Sequence, residues 1–149
     1  MIESVIINPI VLPTNSSQIA FTNDPIRTRS ASCCGWLSHL EGSPIYKITK
    51  GGTYKFNLTA NVSSAEAGIV ALGLYRDGIL DPSTIVSQTN TAGGNTELSI
   101  NKKINVCCSA NENLSIGSVP SVLSTPTLVA TDTVAPTILN ANLIIDREC

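Results

Sequence analysis

From Gly51 onward, apolar and polar residues alternate one for one. Tyr54, Phe56, Leu58, Ala60 and Val62 interleave with Lys55, Asn57, Thr59 and Asn61. This period of two sets one face of a strand on a core and the other in water. After the 63–68 connection, the run from Ile69 to Tyr75 is nearly all apolar, which suits a strand covered on both faces. It stops at Asp77-Gly78, a turn dipeptide whose glycine accepts the positive φ of a tight turn. The two segments predict an antiparallel pair.

The same punctuation continues along the chain. Strands are expected near 4–11, 18–21, 45–48, 53–62, 68–76, 83–89, 97–108, 113–119, 123–130 and 139–145. Turn-forming groups such as Gly51-Gly52, Asp81-Pro82 and Gly93-Gly94 lie between them. In the closing segment Leu139, Ala141, Leu143 and Ile145 alternate with polar Asn140, Asn142 and Asp146. No segment carries an apolar stripe of helical period long enough to nucleate a helix. The expected fold is all-β, an antiparallel jelly-roll sandwich, formed by one domain over residues 1–149.

Two regions depart from that pattern. Residues 22–43 read as a long polar loop holding Trp36, His39, Arg27 and Arg29, and a loop of that length usually binds or covers something. Residues 118–136 read as a Pro- and Thr-rich excursion, since Pro120, Pro126 and Pro136 restrict the chain to edge strands or extended paths. Trp36 has two readings, an exposed interface anchor beside Arg27 and Arg29 or a cap on one end of the core.

Composition sharpens the surface more than the fold. Hydrophobic residues make up 42% and charged residues 13% of the 149, against about a quarter charged in typical soluble proteins. So little charge points to surface shared with other subunits. A net charge of −2 with no Lys or Arg run argues against a nucleic-acid partner. The N-terminal residues lack the basic leader and cleavage site of a targeting segment. The longest apolar run falls far short of the ~20 residues of a membrane span, so synthesis in a cytoplasm is expected.

Candidate chemistry is sparse. Cys33-Cys34 and Cys107-Cys108 are adjacent pairs, unlike the spaced ligands of a zinc site. On a strand, neighbours point to opposite faces, so Cys108 is expected inward and Cys107 outward. The two pairs fit small buried thiols or a disulfide between the pairs or between subunits, and Cys149, last in the sequence, is expected to be mobile and not a ligand. His39 follows Cys33 and Cys34, yet no oxyanion turn or orienting third group accompanies a Cys–His pair. Paired glycosidase carboxylates and closely spaced calcium ligands are absent as patterns. Neither catalytic residues, nor a metal, nor a cofactor is expected, and the protein is read as a non-enzyme.

The segments GGTYKFNLTANVSS and AGIVALGLYRDGILDPST, followed by INVCC, resemble small proteins from phages and prophages of Gram-positive anaerobes. More distantly, they are similar to the C-terminal domains of collagen-like spore-surface proteins, whose fold is the tumour-necrosis-factor or C1q jelly roll and which assemble as trimers. The resemblance covers about residues 45–145. It implies a structural protein of the virion surface, a capsid decoration protein or head fibre. This chain has no Gly-X-Y stalk, which favours a decoration protein lying on a shell. The implied partners are copies of itself, as a homotrimer, and the major capsid protein. Expected contact residues are Trp36, Arg27 and Arg29 of the long loop with Ile6, Ile7 and Ile10 of the first strand. The alternative is a receptor- or carbohydrate-binding fibre tip, in which Trp36 would stack on a surface glycan.

Overall fold

A computed structural model of the chain describes residues 1–13, 17–27, 36–107, 111–124 and 129–148; Arg27, Leu123, Ser124 and Val129 are described through the backbone alone. The strands are β1 (Ile2–Ile6), β2 (Ile10–Val11), β3 (Asn23–Arg27), β4 (Leu37–His39), β5 (Tyr46–Ile48), β6 (Gly52–Ser63), β7 (Gly68–Arg76) and β8 (Ile79–Leu80). They continue with β9 (Val86–Asn90), β10 (Asn95–Val106), β11 (Glu112–Ser118), β12 (Ser121–Ser124), β13 (Val129–Asp132) and β14 (Thr137–Arg147). A short 3-10 turn (Pro82–Thr84) precedes β9.

Two antiparallel sheets enclose the core. The first runs β10-β6-β14-β1-β3, with β2 beside the start of β14. The second runs β4-β5-β11-β7, and β8 and β9 both pair with the far edge of β7. Successive strands cross between sheets: β5 precedes β6, β6 precedes β7, and β10 precedes β11. The chain thereby makes the nested connections of a jelly roll. The terminal strands β1 and β14 pair over five residues in the interior of the first sheet. Both ends of the chain are thus part of the central ladder.

The alternation expected over 53–62 holds throughout β6, where Tyr54, Phe56, Leu58, Ala60 and Val62 are buried and Lys55, Asn57 and Thr59 are exposed. β7 is covered on both faces, as its composition requires. Val70, Leu72 and Leu74 join the core between the sheets. On its outer face, a Cβ placed on Gly73 would lie 2.5 Å from Leu80 and 3.2 Å from Val119. The close cover over that position is what calls for glycine.

Several expectations are corrected. The 52–62 and 68–76 segments do not pair with each other: β6 lies between β10 and β14 in the first sheet, and β7 pairs with β11, β8 and β9 in the second. Residues 22–43 are not one loop, because β3 pairs with β1 and β4 with β5 at the edges of the two sheets. Both strands are short, with few inward positions, so they lack the apolar alternation that reveals the long strands. Residues 18–21 make a single bridge, Gln18 to Gly117, although Ile19 and Phe21 are fully buried. The 83–89 strand starts at Val86, because Asp81 caps the 3-10 turn through its side chain and Pro82 opens it. Residues 123–130 do not form one strand: β12 and β13 pair antiparallel as a separate two-stranded sheet inside the 118–136 excursion. In β14 the alternation shifts at Leu139, which has no partner across from β6, whereas Ile138 opposes Val62 and Asn140 opposes Asn61. That bulge puts Ile138 and Ala141, three residues apart, both into the buried set.

Candidate interaction face

The first sheet turns one face to the core and the other to solvent. On the solvent side, ladder register places the outward residues in rows. Asn101 opposes Asn57, Asn57 opposes Ile144, Ile144 opposes Glu3, and Glu3 opposes Ile26. The next row runs Ser99, Thr59, Asn142, Val5 and Asn23. A third runs Glu97, Asn61 and Asn140. These rows are dominated by neutral amides and hydroxyls, with Glu3 and Glu97 as their charges.

Two of the amides are already tied together, with Asn61 Nδ2 donating to Asn140 Oδ1 at 2.7 Å. Asn142 Nδ2 donates to Glu3 Oε1 at 2.5 Å, partly satisfying that carboxylate within the face. At one end of the face, Val11 continues the row of Thr137 and Ser63 and is 67% exposed, with Ile7 at 66%. The other end is charged. Lys103 opposes Lys55, and both reach Glu148 Oε1, at 2.8 and 3.1 Å. The Lys103 and Lys55 ammonium groups hold the Glu148 carboxyl below the ordinary carboxylate range. A shallow depression lies here, lined by Lys55, Asn57, Asn101, Lys102 and Lys103.

Chemically the face suits recognition of a like surface. Each asparagine offers a carbonyl acceptor and two N–H donors, so an amide-rich plane can meet either donors or acceptors on an apposed surface. The apolar end and the charged end give the plane a direction.

The expected contact residues are only partly here. Ile7 is exposed and borders the face, while Ile10 is partly buried and packs on the core. Ile6 is 1% exposed and is corrected to a core residue. Its inward position follows from the β1 alternation, in which Ile2, Ser4 and Ile6 all point in. Trp36 is corrected likewise. It is buried against Tyr54, with ring centroids 5.3 Å apart, so it caps the core and offers no stacking surface to a sugar. Arg27 lies at the end of β3. Arg29 lies outside the described residues, as do Cys33, Cys34, Cys108 and Cys149, while Cys107 is exposed as the strand alternation requires.

His39, set beside the cysteines in the sequence, is engaged elsewhere. Its Nδ1 lies 2.8 and 2.9 Å from the Asp24 carboxylate oxygens and its Nε2 lies 2.9 Å from the Ser43 carbonyl oxygen. Both side chains of the Asp24–His39 pair are sealed from solvent. Among the described residues no group of His, Cys, Asp and Glu is arranged to hold a metal ion.

The amide face itself went unread in the sequence. Its signal was available as the polar half of the alternation in β6, β10 and β14, where asparagine recurs at outward positions.

A solved structure, the globular domain of zebrafish complement 1qA protein, is similar to this chain with a TM-score of 0.49 at 10% sequence identity, covering 99% of this chain and 98% of the other. No family model matches the sequence and no curated protein matches it.

Proposed function

We propose that this chain is a structural protein of a virion surface, a bacteriophage capsid decoration protein that assembles as a homotrimer and lies on the major capsid shell. The observation that carries the self-association is the amide- and hydroxyl-rich middle of the outer face of the first sheet, where Glu3 and Glu97 are the charges and the lysines gather at one end. A broad neutral plane can be dehydrated against another copy at little electrostatic cost, and in a threefold ring it meets a different patch of the next subunit. The sequence motifs shared with small phage proteins supply the virion setting. The role is mechanical: copies join through the amide face, the apolar rim at Ile7 and Val11 meets the shell, and repetition over the shell multiplies modest contacts. No catalytic step is assigned to it.

Light scattering on the purified chain at micromolar concentration tests the assembly, with three copies per particle expected. A stable monomer there removes the self-association. Binding to purified shells lacking the protein, set beside a glycan array, tests the partner. Saturable binding to shells without glycan binding is expected, and glycan binding without shell binding would replace the decoration reading with that of a receptor-binding tip.

A further inference from the structure

The edge strand β3 has an unusual inward side. Asn23, Pro25 and Ile26 are exposed, and the side chain that turns into the molecule is the carboxylate of Asp24, fully buried. Among its described side chains, β3 therefore has no apolar anchor. Its ladder to β1 is short, three register pairs interrupted by a shift between Glu3 and Val5. Everything else that fastens it is polar. The Asp24 carboxylate accepts from the Ser4 hydroxyl on β1 and meets His39 Nδ1 on β4. The Asp24 amide donates to Glu41 Oε1 at 3.0 Å.

The partner side of this contact is rigid. His39 stacks on Tyr46 with centroids 4.0 Å apart and planes within 7°, and its Nε2 is held at the Ser43 carbonyl. Trp36, just before β4, is buried against Tyr54. So β4 is bolted to the core while β3 is hooked to β4 through one carboxylate. Apolar contacts weaken gradually as surfaces slide, whereas a sealed polar contact is directional and is lost as a unit once its geometry fails.

We propose that β3 is a strap, latched by Asp24 on His39, which opens locally and uncovers the edge of β1 while the rest of the sandwich stays folded. Opening bares a row of β1 backbone N–H and C=O groups, the kind of edge that pairs with another extended chain. Such an edge must otherwise stay covered.

Hydrogen exchange followed by mass spectrometry on the intact chain tests this. In the wild type, amides of 23–27 should exchange faster than those of 54–62, the central strand. Asp24→Asn and His39→Gln should each speed exchange in 23–27 and in the β1 residues facing it roughly tenfold, leaving 54–62 and 139–146 unchanged. If either variant fails to fold, Ser4→Ala, which removes a single donor to the same carboxylate, should give the same selectivity at about threefold amplitude. Equal acceleration in β6 and β14 would overturn the strap, because the contact would then hold up the whole fold. Unchanged exchange in 23–27 would overturn it too, because Asp24 would then not be the latch.

Discussion

Trp36 and Tyr54 pack with their ring centroids 5.3 Å apart and their planes tilted by 47°. One residue stands at the entry to β4 in the second sheet and the other lies near the start of β6 in the first, so a single aromatic contact closes that end of the sandwich. The Tyr54 hydroxyl donates to the Lys50 carbonyl, and the Thr49 amide donates to the Trp36 carbonyl at 2.9 Å. Deleting the indole leaves a cavity that this braced surround cannot close. Trp36→Ala should cost about 3–5 kcal/mol in urea unfolding, and Trp36→Phe should recover much of that. A Trp36→Ala chain as stable as the wild type would place the indole outside the core.

A second tie between the sheets runs through Arg76, which an ion pair within the second sheet holds in place. The nearly buried Glu112 of β11 receives Arg76 of β7 through both Nε and Nη2, and Nη2 also donates to the Asn105 carbonyl of β10 at 3.0 Å. The hydrogen bond to Glu112 raises the Arg76 pKa above its ordinary value. Glu112→Gln keeps the shape and removes the charge. It should cost about 1–2 kcal/mol, less than a fully buried pair because Arg76 remains partly hydrated. A double-mutant cycle with Arg76→Gln should show coupling above about 0.5 kcal/mol, and additive losses would reduce the contact to two independent packing effects.

What could be read from the sequence follows where side chains had to choose between core and water. The long strands β6, β7, β10 and β14 were legible because most of their inward residues are apolar. β3 and β4 were not, because an edge strand can turn a carboxylate or an imidazole inward, and Asp24 and His39 then look like loop residues. Their pairing across fifteen positions is set by tertiary placement and leaves no local pattern. The bulge at Leu139 was hidden for a related reason, since alternation counted forward from Leu139 looks regular until the partner register is known. Of the contact residues, Ile6 and Ile7 could not be told apart, because each strand phase offers one of them to the core and only the register of β1 decides for Ile6. Trp36 was ambiguous in principle, because a lone tryptophan between polar residues fits a cap as well as an anchor.

Acid should weaken this fold by a traceable route. The Ser83 hydroxyl and amide, at 2.7 and 3.0 Å, hold the Asp81 carboxyl below its ordinary value, with smaller help from Lys102 and Arg76. The native state therefore binds fewer protons than the unfolded chain in the acid range, and stability rises with pH there. The contribution is complete above the unfolded carboxylate value, about 4, and is lost as pH falls through the lower native value. Urea midpoints taken from pH 7 down to 3 should decline, and Asp81→Asn should flatten part of that decline. An identical slope in the variant would assign the acid sensitivity to other carboxylates.

Gly117 marks a close approach of backbone. A Cβ there would lie 2.8 Å from the Ser17 carbonyl oxygen and 3.0 Å from the Tyr75 ring. The Ser118 amide donates to that same carbonyl at 2.9 Å, and the Tyr75 hydroxyl donates to the Ser118 carbonyl at 2.7 Å, so neither neighbour can retreat freely. Gly117→Ala should therefore cost about 1–3 kcal/mol through overpacking. By comparison, Gly93→Ala meets no atom within 4 Å but carries a φ of +72°, so its penalty should come from the backbone alone. Thermal midpoints of the two variants, with a crystal structure of Gly117→Ala, would show whether the 17–18 segment has been displaced from β11.

The amide face can be tested apart from the fold. Thr59 lies near the middle of the face, exposed between Ser99 and Asn142. A charge there leaves the folded monomer almost untouched, because an exposed strand position away from special contacts changes stability by no more than about 0.5 kcal/mol. In the assembly the same substitution sets an unpaired charge into the contact, where a partly dehydrated surface makes it costly. Thr59→Arg should thus unfold at the wild-type urea concentration yet associate at least about tenfold more weakly by light scattering. Ile79→Lys supplies the control: Ile79 is 74% exposed at the β7–β8 turn of the other sheet, and its change should leave association intact. If Ile79→Lys disperses the particle and Thr59→Arg does not, the copies meet through the second sheet, and the low charge of the amide face needs another explanation.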